Sequence, residues 1–510
     1  MAQQIALKLA VAEDRHAALK RHPLLARATG REQQTLVSVY YDTGRQALRR
    51  AGILLRLRRE GTSWTQTIKR QDESDAGLTI RPEWQAPYLN HFDFSHVDDA
   101  NLRDWLQRER IAGNLAPVFE TSVRRSTWTL EPRPGTRILA KLDRGWIASD
   151  GRREPISELE LQLTAGSIDA IYALALQLAA NLALPPLLLS KAERGYRLYR
   201  NAKPHPTRAR EVDIRRAGAP LAAFRLIALD CLTHLQSNHA GAIHSDDAEF
   251  VHQMRVATRR LRAAMRLFAP VLPSGFAEAL IPPLRDLMRS LGQARDLDVL
   301  VAEIVAPVSR AIPDEPRVTE LASAITNRQY SARAEIRHLL RQPAYGRLLL
   351  QAGRLLQQTD FVDPRNADAE DAALIPFADR RLRRMLRRIH ELAEVARVDN
   401  PPSLHELRIA IKRLRYAIEF FGALIPGKSG VTVIKRLAAL QEELGQLNDL
   451  ASAGNLLMVC AGREQPLREA VTLIGGWHGQ RYAALLAAIP EQLEELRRIK
   501  LPRLKPDSDD

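Results

Sequence analysis

Twice in this chain a histidine is followed by three cationic side chains at intervals of three, four and three residues. His252, Arg255, Arg259 and Arg262 form the first set, and His405, Arg408, Lys412 and Arg415 the second. On an α-helix these spacings gather four side chains into a stripe of roughly 80°. Cations so close repel one another unless an anion sits among them. Arginine suits phosphate, because its planar fork donates two hydrogen bonds at once, and histidine adds a charge that titrates near neutral pH. The implied chemistry is multidentate binding of a phosphate-rich anion. A single basic helix is more often a solvated face, but here the pattern recurs. His405 lies 153 residues after His252, and Leu444-Gly445-Gln446 lies the same 153 after Leu291-Gly292-Gln293. Two segments sharing one offset mark a tandem duplication. Arg266 and the arginines of 380–388 extend the basic surface, whereas Arg285, Arg289, Lys435 and Arg436 read as ordinary surface charge.

A second arrangement of charge occupies the first part of the chain. With strand periodicity Arg56 and Arg58 share a face, as do Arg81 and Glu83, and Glu158 and Glu160. Lys8, Lys69, Arg124, Arg125, Lys141, Lys191 and Arg194 supply further cations. Inside a closed barrel they would build a phosphate-binding tunnel, and inward carboxylates would hold Mg²⁺ or Mn²⁺ on the substrate. Taken one pair at a time, solvent-facing charge on half-exposed strands is the plainer reading.

The elements that must position these residues change character near residue 204. Before it, short segments alternate polar and apolar: Gln4–Ala10, Leu36–Thr43, Ile53–Arg59, Ser63–Arg70, Thr79–Gln85, Phe119–Leu130, Arg137–Asp143 and Ile156–Thr164. They predict an antiparallel sheet or barrel, followed by a helix over Ser167–Leu184 that Pro185-Pro186 stops. Residues 204–218 read as a linker rich in Pro, Arg and Ala. Helical periodicity then predicts helices near 219–237, 249–272, 276–306 and 315–358. After a break at Thr359–Pro376, others follow near 377–397, 403–424, 431–461 and 464–499. Met254, Leu261, Phe268, Leu407, Leu414 and Phe421 should face the core. The expected architecture is multidomain α+β: an antiparallel tunnel barrel (1–203), a linker, and a duplicated pair of four-helix bundles at 219–499, with repeats at about 219–358 and 374–499 and a tail at 500–510.

The 510 residues exceed what one core can organise. Lys and Arg number 75 against 60 Asp and Glu, an excess that points to a polyanionic partner. Aromatic residues make up 5% and none interleaves the basic stripe, so nucleic acid is not expected as the main partner. Only Cys231 and Cys460 are present, no apolar run reaches membrane-spanning length, and a reducing cytoplasm is the expected compartment.

The paired histidine helices and the duplicated Gly-Gln segment followed by an acidic residue resemble the CHAD domain, the conserved-histidine α-helical domain. That resemblance implies binding of inorganic polyphosphate along a basic groove or pore and association with polyphosphate granules, with the two stripes as the contact residues. The first part is similar to the CYTH family of triphosphate tunnel metalloenzymes. Tyr40-Tyr41-Asp42-Thr43, Leu55-Arg56-Leu57-Arg58, Gln66-Thr67-Ile68-Lys69, Ile156-Ser157-Glu158-Leu159-Glu160-Leu161 and Leu189-Ser190-Lys191-Ala192-Glu193-Arg194-Gly195-Tyr196 carry this second resemblance. It implies that Lys8, Arg56, Arg58, Lys69, Arg124, Lys191 and Arg194 grip tripolyphosphate, with Glu158 and Glu160 in a Mg²⁺ or Mn²⁺ site. The family opens with Glu-x-Glu-x-Lys, whereas this chain has Gln4-Ile5-Ala6-Leu7-Lys8. Loss of two anionic ligands should weaken binding of a hard cation. The expectation is a polyphosphate-binding protein whose barrel holds tripolyphosphate but has a degenerate metal site. The alternative is an active divalent-metal-dependent inorganic triphosphatase, releasing diphosphate and phosphate.

Overall fold

A computed structural model describes residues 2–70, 77–358, 373–427 and 429–504, with the backbone alone at 2–4, 80 and 81. The side chains of Gln4 and Arg81, most of the expected 359–376 break and residues 505–510 therefore lie outside the described residues. The chain forms two compact units, one of residues 1–205 with 340–358, the other of 206–339 with 359–510.

In the first unit eight antiparallel strands close a barrel: β1 (Ala2–Ala10), β2 (Gly30–Thr43), β3 (Ile53–Glu60), β4 (Ser63–Arg70), β5 (Leu78–Pro87), β6 (Leu115–Arg133), β7 (Thr136–Ser149) and β8 (Arg152–Ala165). Their order round the barrel is β1-β5-β4-β3-β2-β6-β7-β8, and β8 pairs back onto β1. Asp150 and Gly151, at φ 48° and 75°, form the two-residue turn between β7 and β8, the backbone that Asp-Gly favours in a tight hairpin. Alternation gives this barrel a polar inside and an apolar outside. Leu7, Leu9, Leu159 and Leu161 are buried against Ile171, Tyr172 and Leu174 of helix α1 (Ile168–Leu178), whereas Lys8 and Glu160 line the interior. A second helix, α2 (Lys191–Tyr199), packs on β6, β7 and β8.

The second unit is helical. Its first set comprises α3 (Pro220–Ser237), α4 (Ala248–Leu267), α5 (Phe276–Val299) and α6 (Pro316–Leu340). The single helix expected over 315–358 is broken. Gln342, at ψ 150°, is extended ahead of Pro343, as the steric demand of the proline ring requires. The chain restarts as α7 (Pro343–Gln357), which belongs to the first unit. There α7 packs on α1: Leu350 joins the barrel's outer core, and Arg354 makes a two-pronged contact with Asp169 at 2.7 and 3.0 Å. The segment expected as one helix over 276–306 changes to a π-helical turn at Leu300–Val305, just before Pro307 removes a ladder donor.

The second helical set is α8 (Leu374–Val395), α9 (Pro401–Phe420), α10 (Ser429–Ala461) and α11 (Gln465–Arg497). Met254, Leu261, Phe268, Leu407, Leu414 and Phe421 are all buried. Helices α4 and α9, which carry the two histidine sets, pack against each other. Phe268 and Phe421, equivalent in the two copies, meet with ring centroids 5.7 Å apart. A further core joins Val318, Leu321 and Ile325 of α6 to Leu457 of α10 and Ile474 of α11.

Removing the apolar anchor of α7 should weaken the barrel unit. Leu350→Ala is expected to cost about 2–5 kcal/mol in denaturant unfolding, while the same change at Leu89, 72% exposed, should cost little.

Candidate functional site

The barrel interior is a cavity of about 230 Å³ lined by seven cations, Lys8, Arg56, Arg58, Lys69, Arg125, Lys141 and Lys191, and two carboxylates, Glu83 and Glu160. Strand geometry delivers most of them, and a helix start delivers Lys191. Ser190 caps α2 in a reciprocal capping box with Glu193, which sets Lys191 on the first turn, pointing into the barrel. The far end of α2 is tied down as well, because Tyr196 donates to Asp42 at 2.8 Å. Asp42 also accepts from the backbone of Thr43, Leu48 and Arg49, so this residue of the Tyr40–Thr43 motif is a structural clamp.

The inner charges hold one another. Arg125 grips Asp143 with two bonds of 2.7 and 2.8 Å, and Lys191 pairs with Asp143 at 2.8 Å and with Glu158. Burial works against ionising Asp143, but Lys191 and Arg125 overcome it and hold its carboxyl at about 2. Lys69 sits 2.6 Å from Glu83, yet burial and neighbouring Arg56 push it down to about 7. Burial, with Arg56 and Arg125, takes Arg58 down to about 9. In both groups burial and neighbouring cations favour the neutral form, an effect that a bound anion would offset.

The barrel carboxylates are engaged by cations. Glu158 is committed to Lys191, and Glu160 lies 3.9 Å from Lys141. Burial opposes ionisation of Glu160, but Lys141 and Lys8 hold it well below the usual carboxylate range. On the paired strand, Ala6 lines the cavity without a donor atom. Among the described residues no group of three or more His, Cys, Asp or Glu side chains could hold a metal ion.

Two expected tunnel residues are placed elsewhere. Arg124 is exposed, because strand alternation sends it opposite to Arg125, which takes the inward place. Arg194 is outside the cavity lining, where it binds Glu154 at 2.6 Å and reaches Glu158 only at 4.0 Å. Glu158, expected as a metal ligand, is fully buried and pairs with Lys191.

In the helical unit, residues from both histidine sets line one cavity of about 1030 Å³: His252, Arg255 and Arg259 from α4, and Arg408 and Lys412 from α9. The repeated Gly-Gln segments lie beside these cations: a Cβ on Gly292 would meet Arg255 Nη1 at 2.3 Å, whereas one on Gly445 would be in ordinary contact with Arg408 Nη2 at 3.6 Å. Tyr416 crosses between copies by accepting a 2.6 Å bond from Arg259 Nε. The rest of the lining is mixed, with Asp296, Glu303, Glu335, Glu442 and Asp449 beside Arg295 and Arg328.

Three members of the expected stripes do not line this cavity. Arg262 lies about 15 Å along the helix from His252, where its neighbours are Arg266 and Arg285. His405 is at the margin, Nδ1 lying 3.1 Å from Asn448 Oδ1. Arg415 is held by Glu419 at 3.0 Å and Gln441 at 3.0 Å, a carboxylate one turn along having captured it. Asp296 and Asp449, the acidic residues that follow the duplicated Gly-Gln segment, also line the cavity, whereas Tyr416 stands opposite Ala263 in the first copy and leaves no repeat signal in the sequence.

The comparisons with known proteins divide the chain in the same way. Residues 226–458 match the model of the CHAD domain family, and residues 2–196 that of the CYTH domain. The crystal structure of the CHAD domain from the plant Ricinus communis is 32% identical, covers 59% of this chain and 99% of its own, and superposes with a TM-score of 0.52. An inorganic triphosphatase of Haemophilus influenzae is 30% identical over 201 residues, 39% of this chain and 55% of the relative. The chain thus spans about half the length of that curated relative.

Lys412 shows how cations crowd one another in the larger cavity. Burial, then Arg259, Arg408 and Arg255, lower it to about 7. The unfolded chain, with an ordinary lysine near 10.5, binds the extra proton between those values, so this group's contribution to stability rises with pH from about 7 to 10.5. Lys412→Met should therefore raise the melting temperature at pH 7, by about 2–4 °C per kcal/mol relieved, and show no gain near pH 10.5. Differential scanning calorimetry at the two pH values checks this.

Proposed function

Because the chain belongs to the CHAD family and carries a CYTH domain ahead of its helical region, we propose that it binds inorganic polyphosphate through the helical cavity. One observation carries the reading: four cations from two copies of the repeat, Arg255, Arg259, Arg408 and Lys412, line a single space. A chain of phosphates presents repeated negative charge at short intervals, and guanidinium forks bind such oxygens two at a time. One site lined from both copies serves a long polymer better than two separate basic helices would. Association with polyphosphate granules follows from the same binding, and the cytoplasm is the compartment proposed. No described helix is long and apolar enough to cross a membrane.

For the barrel we propose tripolyphosphate binding with slow hydrolysis or none. The cation excess of its interior supports binding, and the ion-paired Glu158 and donorless Ala6 argue against a working site for Mg²⁺ or Mn²⁺. The second reading, a divalent-metal-dependent inorganic triphosphatase, draws on the relative of that name and on the retained cations at Lys8, Arg56, Arg58, Lys69 and Lys191.

Two measurements test these readings. Arg255→Glu combined with Arg408→Glu should lower affinity for long-chain polyphosphate by more than about a hundredfold, or 2.7 kcal/mol, with helicity unchanged by circular dichroism. Unchanged affinity in filter binding rejects the cavity as the site. In a phosphate-release assay with tripolyphosphate and Mn²⁺, turnover should stay below about 1 per second. Gln4→Glu with Ala6→Glu should raise it, and fast turnover by the natural chain favours the enzyme.

A further inference from the structure

The two copies of the helical repeat part company on one face of their first helix. The 153-residue offset that relates α4 to α9 also relates α3 to α8, since Leu221, Phe224 and Leu229 recur as Leu374, Phe377 and Leu382. Phe224 and Phe377 are both fully buried. Elsewhere on these helices the likeness ends. Ala228, Cys231 and Leu235 of α3, all buried, correspond to Arg381, Arg384 and Arg388 of α8. At spacings i, i+3 and i+7 these arginines lie within about 60° of one another. The next helix repeats the contrast. Arg260 of α4 is buried, held by Asp230 at 3.2 Å and donating to the carbonyl of Arg210 at 3.4 Å, whereas its equivalent on α9, Arg413, is exposed. Asp230 itself is replaced by Arg383.

The second copy thereby gains an arginine ridge. Arg266, Arg381, Arg384, Arg388 and Arg413 line a cavity of about 350 Å³ among α4, α8 and α9. Among the described residues no acidic side chain lines it, although Arg388 also meets Glu391 at 3.2 Å along its own helix. Tyr416 and Phe420, which border it, are almost wholly buried and already carry Arg259, Arg415 and Arg260 on their rings. The surface on offer is therefore guanidinium, and such a gathering repels itself unless an anion joins it. The repulsion is visible at Arg413, which burial and then Arg266 lower from its ordinary value.

One face of α4 joins this ridge to the larger cavity. Arg255, Arg259, Arg262 and Arg266 fall within about 60° of one another and span about 16 Å along the helix. The first two line the larger cavity and the last lines the smaller. Arg262 stands between them, its own value lowered by burial and then by Arg266. A row of forks suits an anion whose charge repeats along its length. We propose that a polyphosphate chain held in the larger cavity runs out along α4 and across the arginines of α8, so that one polymer is gripped at two linked places. This rests on the reading of the larger cavity given above. Linked contacts on one chain raise affinity by effective concentration, without either being strong alone. Because the first copy has buried residues at the equivalent positions, the chain leaves on the side of the second copy.

The test compares charge-reversed pairs in the full-length protein by filter binding. Arg384→Glu with Arg413→Glu should lower affinity for long-chain polyphosphate at least about tenfold. The slope of log affinity against log salt should shrink by about 2. Arg463→Glu with Arg468→Glu, at exposed positions between α10 and α11, makes the same change in net charge and should cost less than about threefold. Tripolyphosphate, too short to reach from the larger cavity to the ridge, should bind the Arg384/Arg413 variant within about twofold of the natural chain. Equal losses from the two pairs overturn the proposal, as does an unaltered long-chain affinity or a matching loss for tripolyphosphate. Arg255→Glu with Arg408→Glu separates it from the reading it rests on. If that pair weakens binding and the ridge pair does not, the ridge falls alone; if neither does, both fall.

Discussion

Taking a cation out of water is costly unless an anion meets it, and both units of this chain bring several cations together in one cavity. In the barrel the demand is met partly from within, by Asp143 between Arg125 and Lys191 and by Glu83 beside Lys69. What remains shows in the lowered values of Lys69 and Arg58. In the helical unit it shows at Lys412, where three arginines crowd one ammonium group. The folded chain carries these costs as a standing affinity for a multiply charged anion, and the tertiary structure is arranged around keeping the cations together.

Each unit meets that constraint with a different device. The barrel inverts the usual polarity of a small β structure: leucines of β1 and β8 face outward under a helical cover, which frees the interior for charge. The helical unit instead brings two copies of one basic helix side by side. Equivalent phenylalanines, Phe268 and Phe421, touch where the copies meet, and Gly292 leaves space for the Arg255 head group. Duplication doubles the number of cations facing one space without requiring any single helix to carry an unbroken row of them.

Much of this was legible in the residues. Period-two alternation located all eight strands, and the segments related by the fixed offset named His252, Arg255, Arg259, Arg408 and Lys412 among the residues lining the helical cavity. The failures have local causes. Arg124 and Arg125 are adjacent, so periodicity says that one points inward but not which one; the partner Asp143, a strand away, decides it. Arg415 matched the stripe by spacing, yet Glu419 one turn later claims it. Gln342-Pro343 was a visible helix breaker, but the destination of the helix after it depended on Leu350 and Arg354 finding partners far back in the chain. Long-range pairings of this kind leave no periodic trace.

That returning helix bears on the order in which the polypeptide acquires its shape. Multidomain chains commonly complete their first module while later residues are still being synthesised. Here the barrel's outer core includes Leu350, so the module begun at the first strand remains unfinished until α3, α4, α5 and α6 have all left the ribosome. A nascent chain paused anywhere in that interval presents the leucine face of β1 and β8 with its cover incomplete. The two units are thus contiguous in neither sequence nor time of completion.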